Sequence, residues 1–444
     1  MFERFPGKKL SSFQIIIIGF GSVILIGTLL LALPISAKAG QWTSFEHAFF
    51  TSTSAVCVTG LIVRDTATYW SAFGQAVILL LTQIGGLGIV SVATFFAIVS
   101  GKKISLLERS LLRESISANQ VGGIIRMACF IFKVAFIIEL AGAVLMLPAF
   151  CSAYGASGIW LSVFHSISAF CNAGFDIMGS KTGTFSSLTG FSTNLGILIP
   201  VCLLIIIGGI GFLTWDDISE NRFRLKQYRM QSKAILATTA VLILVPSVIL
   251  FFSDFSAFPL KDRICISIFH AITPRTAGFN TADLASLSGP GRVTTEILML
   301  IGGSPGSTAG GLKTTTVAVL AANLVAIVRR RKSAQLFNRR IEDQTVKSAA
   351  ALLILYLFLA LAGAFIIHAA DHYPMELCIF ETFSAIGTVG LTMGITPSLS
   401  LISHLIIIML MFFGRVGGLT LMFAALSSTD AEVAQYPVEK INVG

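Results

Sequence analysis

One short pattern occurs four times along the chain at near-equal intervals, and it limits the possible folds more than any other feature. A half-length apolar run, too short to cross a bilayer, ends in a small polar patch and a glycine that is followed by Leu or Phe. The first copy runs from Phe45 through the stretch SAVCVTGL at 54–61. The four glycines are Gly60, Gly174, Gly278 and Gly390. Self-similarity of this kind predicts four internal repeats.

The composition is that of an integral membrane protein. Of the 444 residues, 55% are hydrophobic and only 12% are charged, whereas soluble domains carry about 25% charged residues. Several apolar runs reach the roughly 20 residues that a spanning helix needs. The first run, 13–33, is longer than the apolar core of a signal peptide, about 7–15 residues, so we expect it to be a mature spanning helix. The seven cysteines are scattered and show no disulfide or zinc spacing.

We predict an all-α membrane protein of four tandem helix–pore helix–helix repeats in pseudo-fourfold symmetry around a central pore. Eight long helices span the membrane and four short pore helices are re-entrant. The long segments are expected at 13–33, 71–100, 122–150, 192–214, 234–252, 294–328, 346–370 and 401–426, and the short ones at 45–56, 159–170, 263–272 and 375–385. The predicted domains are repeats at 13–100, 122–214, 234–328 and 346–427, loops at 101–121, 215–233 and 329–345, and tails at 1–12 and 428–444.

The basic residues test this topology. Lys and Arg concentrate in the N-terminal tail and in the three loops just given, and such residues collect on the cytoplasmic side of membrane proteins. These segments fall on one side only if each short run turns back instead of spanning. We therefore expect both termini in the cytoplasm, and we assign the net charge of +9 to topology. The loops could bind anionic lipid or a protein partner.

The re-entrant turns predict a cation pathway. Non-helical backbone at membrane depth must be buried or line a wet cavity. Each short helix ends with about half a negative charge, and glycine permits positive φ, so that carbonyls can face an axis. A ring of carbonyls can replace the hydration shell of an ion. The predicted filter carbonyls belong to Val58, Thr59, Gly60, Asn172, Ala173, Gly174, Thr276, Ala277, Gly278, Thr388, Val389 and Gly390.

The third repeat differs from the others in two ways. Its glycine pattern contains Arg275, which we expect behind the filter and paired with an acid, Glu381 being the candidate. Its second long segment contains a run without large apolar side chains that cannot remain a helix. We predict a loop there that obstructs the pore, a kink without a gating role being the alternative. The predicted gate residues are Gly302, Gly303, Ser304, Pro305, Gly306, Ser307, Thr308, Ala309, Gly310, Gly311, Lys313 and Arg415.

Ionisable groups within the membrane region are functional candidates, which is why Lys313 and Arg415 belong to this set. Arg415 would repel cations or hold the loop through its carbonyls. The second long segments also share glycine pairs, for which close helix packing is the expected role. These pairs are Gly85-Gly86, Gly208-Gly209, Gly302-Gly303 and Gly417-Gly418.

Two stretches carry a family resemblance, TPRTAGF at 273–279 and GGSPGSTAGGLKTT at 302–315. Together with the fourfold plan, they resemble the Trk/Ktr/HKT superfamily of potassium transporters over nearly the whole chain. The first repeat begins directly, without the extra N-terminal helix pair of TrkH-type members. The chain is therefore most similar to the membrane subunit of bacterial Ktr systems.

The resemblance implies potassium (K+) uptake across the bacterial cytoplasmic membrane by a homodimer with one pore per chain, gated by a cytosolic ring of nucleotide-binding regulatory subunits. It assigns the four glycines to the filter and residues 302–311 with Arg415 to the gate. All four filter glycines are present, which in this family accompanies potassium preference, whereas sodium-selective plant members often have Ser at the first. Some members are stimulated by sodium (Na+). No organic cofactor is implied.

Three other functions are alternatives to this one. A sodium-permeable or cation-coupled transporter of the same superfamily is the alternative within the family. An alternating-access transporter should have few, inverted repeats, whereas the charge pattern gives these four the same orientation. A membrane-embedded enzyme needs a nucleophile, a metal cluster or paired carboxylates at depth, and the sequence presents none, so we predict no enzymatic activity.

Overall fold

The computed structural model describes residues 11–116, 122–222 and 224–417, and its architecture is helical. Unit 1 contains α1 (Ser12–Ala32), α2 (Phe45–Val56), α3 (Thr66–Tyr69), α4 (Ala72–Leu87) and α5 (Ile89–Val99), and α6 (Leu106–Ser115) follows it. Unit 2 contains α7 (Ile124–Tyr154), α8 (Ser157–Phe170), α9 (Gly179–Thr182), α10 (Leu195–Gly209) and α11 (Phe212–Asn221). Unit 3 contains α12 (Met230–Ser253), α13 (Leu260–Ile272), α14 (Gly289–Leu300) and α15 (Thr314–Val328). Unit 4 contains α16 (Asp343–Asp371), α17 (Met375–Gly387) and α18 (Leu401–Val416).

The predicted tails lie mostly outside the described residues. This applies to positions 1–10 and 418–444, and therefore to Gly418 and to the end of the predicted segment 401–426. Part of the predicted loop 101–121 and position 223 are outside as well.

The short helices α2, α8, α13 and α17 form the interior of the molecule. Every residue of α2 from Phe50 to Val56 is buried, whereas α1, α7, α12 and α16 expose many large apolar side chains. Each short helix packs against both longer helices of its own unit and against the second long helix of the unit before it; the contacts to the preceding units are α2 with α18, α8 with α4, α13 with α10, and α17 with α14. The units thus contact one another in a closed order, with unit 4 against unit 1.

The second long helix of every unit begins in the same way. A side-chain oxygen just before the helix accepts a hydrogen bond from a backbone N–H in the first turn, which satisfies one of the donors left free at a helix start. These caps are Ser71 for α4, Asn194 for α10, Ser288 for α14 and Ser400 for α18.

Two predicted continuous segments are broken, which corrects the sequence interpretation. Segment 71–100 is two helices, α4 and α5, bent by 96°, and segment 192–214 is α10 and α11, bent by 97°. The bends occur at Gly88 and Gly211, with φ of +87° and +90°, where an L-residue is disfavoured by roughly 1–2 kcal/mol. The predicted end of repeat 2 at position 214 therefore falls inside α11.

The number of spans that length and composition support is smaller than the predicted eight. Four helices qualify alone, α1, α7, α12 and α16, and the two bent pairs raise the number to six within the described residues. The helices α15 and α18 are shorter apolar helices. The reason is that unit 3 is interrupted between α14 and α15, and α18 ends at Val416, next to the limit of the described chain.

Two of the predicted loops contain regular structure. Helix α6 lies in the loop after unit 1 and begins with a capping box of Ser105 and Glu108. The loop after unit 3 contains an antiparallel hairpin of β1 (Gln335–Leu336) and β2 (Arg339–Arg340). Neither element has the long apolar run on which the segment prediction depended.

Candidate functional site

The backbone after each short helix takes one unusual conformation four times. The glycines of the four patterns all have positive φ, between +66° at Gly174 and +91° at Gly390. The residue two positions earlier also has positive φ, although it is not glycine; these residues are Val58, Asn172, Thr276 and Thr388. The residue between them is not in the positive-φ region in any unit. Alternation of this kind lets successive carbonyls leave the chain on the same side.

The N–H groups of these segments bond backward to the end of their own short helix. The amides of Thr59, Ala173 and Val389 donate to the carbonyls of Ser54, Ser168 and Ser384, each at 2.8 Å. In unit 3, where the pattern is one residue shorter, Ala277 N donates to Thr273 O at 2.9 Å. The Ser54 and Ser384 hydroxyls also accept from Gly60 N and Gly390 N at 3.0 and 3.1 Å. The donors are therefore satisfied on the helix side.

The four segments meet in a closed ring. A β-carbon built on Gly60 would lie 3.2 Å from the Cα of Gly174, and one on Gly174 would lie 2.9 Å from the Cα of Gly278. One on Gly278 would lie 3.4 Å from the Cα of Gly390, and one on Gly390 would lie 3.0 Å from the Cα of Gly60. Each built atom also meets a carbonyl oxygen of the next segment, so no side chain fits at these positions.

Within the described part of the chain, the carbonyls of the ring have no hydrogen-bond partners. Across residues 11–116, 122–222 and 224–417, none of the twelve oxygens in segments 58–60, 172–174, 276–278 and 388–390 accepts a hydrogen bond. All twelve residues are buried. A buried polar group without a partner costs roughly 2–7 kcal/mol relative to water. The ring thus concentrates electron-rich oxygens with no donor, which is the environment that a dehydrated cation needs.

Side-chain ligands are not part of this arrangement. In the part of the chain that the structure describes, no group of three or more His, Cys, Asp or Glu could hold a metal ion. The polar side chains of the ring segments are the Asn172 amide and the hydroxyls of Thr59, Thr276 and Thr388. The three hydroxyls are buried and have no hydrogen-bond partner among the described residues. Neutral oxygens alone suit an alkali ion better than zinc or another transition metal, which needs nitrogen, sulfur or carboxylate ligands.

The glycine-rich loop of unit 3, residues 301–313, packs directly against the ring. A β-carbon on Gly310 would overlap the side chain of Thr388. Thr308 Oγ1 donates to the carbonyl of Phe170, the last residue of α8, at 3.0 Å. Ser304 N donates to Gly209 O at 2.9 Å. The loop therefore joins the ends of short helices from units 2 and 4, and it is not a simple helix kink.

Arg415 connects this loop to unit 1. Its guanidinium donates to Thr308 O in the loop and to Gly85 O and Gly86 O at the end of α4, the last at 3.0 Å. Lys313 bonds inside the loop, to Ala309 O at 2.9 Å and Gly310 O at 3.3 Å. Both cations line one cavity of about 290 Å³ beside the loop. The predicted roles of Arg415 are to repel cations or to hold the loop through its carbonyls. The hydrogen bond to Thr308 O has the geometry of the second role.

In unit 4, the predicted pair Gly417-Gly418 does not occupy the packing position that Gly85 and Gly208 have in units 1 and 2, and Gly418 lies outside the described residues. Gly85 and Gly208 face the last carbonyls of α2 and α8, so closely that a β-carbon would overlap Val56 O and Phe170 O. In unit 4 the residue in this position, facing Ile386 O, is Gly414. Arg415 therefore stands where units 1 and 2 have their second glycine. Gly417 instead corresponds to the bend glycines, with φ +92°.

The expected pairing of Arg275 with Glu381 is wrong. Arg275 is buried, but its contact is a 3.4 Å hydrogen bond to Thr239 Oγ1, and no ion pair involves it within the described residues. Glu381 instead accepts hydrogen bonds from Thr392 and Thr396, which follow the fourth ring segment. Two hydroxyls satisfy this buried carboxyl without a cation, and sequence spacing gave no means of seeing that.

Comparison with known proteins finds relatives among cation transport proteins. The family model described as TrkH, cation transport protein, matches residues 6–433. The chain is 39% identical to the potassium/sodium uptake protein NtpJ of Enterococcus hirae, over 98% of each chain. It is 38% identical to the Ktr system potassium uptake protein B of Bacillus subtilis, over 97% of this chain and 96% of that protein. Among solved structures, the potassium transporter TrkH of Vibrio parahaemolyticus has a TM-score of 0.74 at 19% identity, over 95% of this chain and 86% of that one, a likeness of fold.

Proposed function

This chain belongs to the TrkH family of cation transport proteins, and on that basis we propose that it takes up potassium ions through a pore whose filter is the carbonyl ring. The observation that carries the proposal is the set of twelve buried ring oxygens that accept no hydrogen bond from any described residue. The C-terminal ends of α2, α8, α13 and α17 point toward the ring, each adding about half a negative charge. Each K+ ion that moves inward gains about 2.3 kcal/mol of free energy for every 100 mV of membrane potential. The names of NtpJ and of the Ktr proteins support potassium as the ion.

The proposed architecture is pseudo-fourfold, with one unit per quarter of the pore. The closed order of contacts between units supports it, as does the equivalence of the four ring segments. In this arrangement each second helix crosses the membrane, despite the breaks in units 1, 2 and 3, which gives eight spans, and the short helices are re-entrant. The proposed orientation puts both termini and the basic loops in the cytoplasm of a bacterial cell.

The loop at 301–313 is the proposed gate. It lies against the ring and is held by Arg415 to the end of α4. Hydrogen bonds between carbonyls and one guanidinium can be broken without unfolding a helix, so the loop can move while α14 and α15 remain intact. Deleting residues 304–309 should raise flux in correctly inserted protein, and equal or lower flux would rule out an obstructing role.

The regulatory proposal rests on relatives rather than on geometry. Two relatives are named as proteins of a Ktr system, which indicates more than one component. We propose that this chain forms a homodimer that binds a cytosolic ring of nucleotide-binding subunits. The basic segments, including the hairpin β1–β2, are the surface for that partner. Binding of the same segments to anionic lipid is the alternative, and copurification of a cytosolic protein separates the two.

The function is tested by flux into liposomes. Purified protein should carry K+ faster than Na+ down equal gradients, without any added chemical energy. Equal rates for both ions would favour the alternative, a sodium-permeable or cation-coupled transporter of the same family, for which the name potassium/sodium uptake protein is the supporting observation. No flux of either ion would contradict the proposal.

A further inference from the structure

A short chain of side-chain hydrogen bonds joins unit 1 to the second ring segment. Gln83 of α4 lies at its middle, where Gln83 Oε1 accepts from the thiol of Cys171 at 3.2 Å and Gln83 Nε2 donates to Glu139 Oε1 of α7 at 2.8 Å. Cys171 directly precedes Asn172, whose positive φ of +58° opens segment 172–174. The three side chains therefore connect α4 and α7 to one quarter of the ring.

The two bonds fix the orientation of the Gln83 amide. A carboxyl oxygen can accept a hydrogen bond whether or not the group is protonated, so the NH2 group of Gln83 faces Glu139. The amide oxygen is then the end that meets the Cys171 thiol, which can donate. Each contact in the chain thus joins a donor to an acceptor, and neither contact depends on titration.

Cys171 is enclosed where α4, α7 and α8 meet. A β-carbon built on Gly86 of α4 would lie 2.8 Å from Cys171 Sγ, so the thiol fills the space that this glycine leaves. The carbonyl of Gly86 accepts from Arg415 at 3.0 Å. On the other side, Ser166 of α8 donates to the backbone oxygen of Glu139 at 2.6 Å. The residue that precedes the second ring segment is therefore held by packing as well as by its hydrogen bond.

The place of Gln83 is apolar in units 2 and 4. Gln83 lies two residues before Gly85, the glycine that packs on the end of α2. The residues two positions before the corresponding glycines, Gly208 and Gly414, are Ile206 and Phe412. Phe412 packs edge to face on Phe20 of α1, with 6.5 Å between the ring centroids. The boundary between units 4 and 1 thus has an aromatic contact at this depth, where the boundary between units 1 and 2 has a hydrogen bond.

The place of Glu139 is apolar in unit 1. Glu139 lies three residues before Gly142, a glycine that packs on a serine hydroxyl of α8. In α1, Gly27 packs on a serine hydroxyl of α2 in the same way, and the residue three positions before it is the buried Ile24. A buried polar pair costs desolvation that an apolar pair avoids, and polar groups at membrane depth are functional candidates. The pair of Gln83 and Glu139 therefore calls for a role beyond helix packing.

We propose that Gln83 anchors the second ring segment through Cys171, with Glu139 holding the Gln83 amide in place, and that this anchor is needed to select K+ over Na+. The backbone changes to positive φ immediately after Cys171, so the position of Cys171 sets the direction of the first carbonyl of the segment. Binding sites need their ligands held to within about 0.5 Å. Gln83, Glu139 and Cys171 are positioning residues, since their side chains contribute no oxygen to the ring. The effect on ion selection rests on the proposed function.

The experiment measures the ratio of K+ to Na+ flux in liposomes. The ratio should fall by about threefold in Cys171→Ala, which removes the donor, and stay native in Cys171→Ser, which keeps one. Cys57→Ala is the matched control, because Cys57 precedes the first ring segment, is buried and makes no side-chain hydrogen bond among the described residues. A native ratio in Cys171→Ala, or an equal loss in Cys171→Ser or Cys57→Ala, would overturn the anchor.

A second readout separates this inference from the proposed function. Gln83→Leu should lower the Tm of the purified protein because it leaves the Glu139 carboxyl buried without its partner, and adding Glu139→Leu should restore most of the loss by making the pair apolar. The flux ratio should stay low in the double variant, since Cys171 still lacks its acceptor. Additive losses of Tm, or a native ratio in the double variant, would overturn the anchor. If the native chain does not select potassium, the proposed function fails, while the Tm values still decide whether Gln83 and Glu139 are coupled.

Discussion

At the scale of single residues, the ring depends on glycines without a β-carbon and on carbonyl oxygens without a hydrogen-bond donor among the described residues. Each ring glycine has no room for a β-carbon because the next segment's carbonyl occupies that space. The N–H groups are used by the short helices, so the oxygens alone are left for an ion. The four glycines were predictable from the sequence because they repeat. The positive φ at Val58, Asn172, Thr276 and Thr388 was not, because these side chains share no chemical property.

A serine at Gly60 should relax ion selection. The substitution places a β-carbon on the carbonyl of Ala173 at φ +89°, so the first segment must move. We expect a loss of potassium over sodium preference in liposome flux. Gly394→Ser is the matched control, since Gly394 has φ +90° and nothing within 4 Å of the built atom. Unchanged selection in Gly60→Ser, or an equal loss in the control, would count against the filter assignment.

Replacing Arg415 with Gln should loosen the proposed gate. The change removes a cation and the bonds from loop 301–313 to the end of α4. Hydrogen bonds to a charged group contribute about 1.5–3 kcal/mol each, so flux should rise by about tenfold or more. Lys313→Gln removes a cation from the same cavity but only loop-internal bonds. Similar increases in both variants would show that charge repulsion, and not the bond to α4, limits flux.

At the scale of helices, a glycine ends the second helix of units 1, 2 and 4. Gly88, Gly211 and Gly417 share a positive φ near +90°, and the chain turns at the first two by more than 90°. In unit 3 the corresponding residue is Pro305, within the loop.

Gly88→Ala should destabilise the bend between α4 and α5. An L-residue at φ +87° costs roughly 1–2 kcal/mol, and Tm of the detergent-solubilised protein should fall. Gly21→Ala is the control, because Gly21 lies inside α1 and has nothing within 4 Å of the built β-carbon. Ala stabilises a helix by about 1 kcal/mol relative to Gly, so this variant should not lower Tm. A native Tm for Gly88→Ala would mean that the bend is not constrained by this residue.

The elements were predictable where hydrophobicity defines them. The predicted segment 45–56 coincides with α2 (Phe45–Val56), and the polar glycine-rich run correctly gave the break in unit 3. The breaks at Gly88 and Gly211 were missed because the apolar run continues across them. The sequence nevertheless contains a signal, a glycine three residues after the first packing glycine, as in Gly85 with Gly88 and Gly208 with Gly211. Hydropathy contains no information about backbone conformation.

At the scale of the whole molecule, closed contacts between units explain how one chain builds a ring. Each short helix packs on the second helix of the preceding unit, including α2 on α18. The boundaries are not equivalent, since the second helix bonds to the next short helix through Gln75 at one, Arg292 at another and His404 at a third. This asymmetry was not predictable from the sequence, because residues as distant as Glu46 and His404 become neighbours only in the fold.

The proposed orientation predicts one-sided labelling. Single cysteines at Lys102 and Lys332, in a chain lacking its seven native cysteines, should react with a membrane-impermeant maleimide only when it reaches the cytoplasmic face. A cysteine at Gly40, between α1 and α2, should react from outside. If the short helices spanned the membrane, each unit would cross it three times, and Lys102 and Lys332 would both be external when the N-terminus is cytoplasmic. Labelling of these two sites from the external face would contradict the re-entrant assignment.

The carbonyl ring is the central claim, and an ion of high scattering power tests it most directly. Crystals of the protein grown with thallous ion, a heavy substitute for potassium, should show anomalous density at the centre of segments 58–60, 172–174, 276–278 and 388–390. We predict ion-to-oxygen contacts from backbone carbonyls of all four segments, and loss of this density in Gly60→Ser. Ordered ring segments with no density between them, or thallous ion bound instead to side-chain carboxylates elsewhere, would contradict the account.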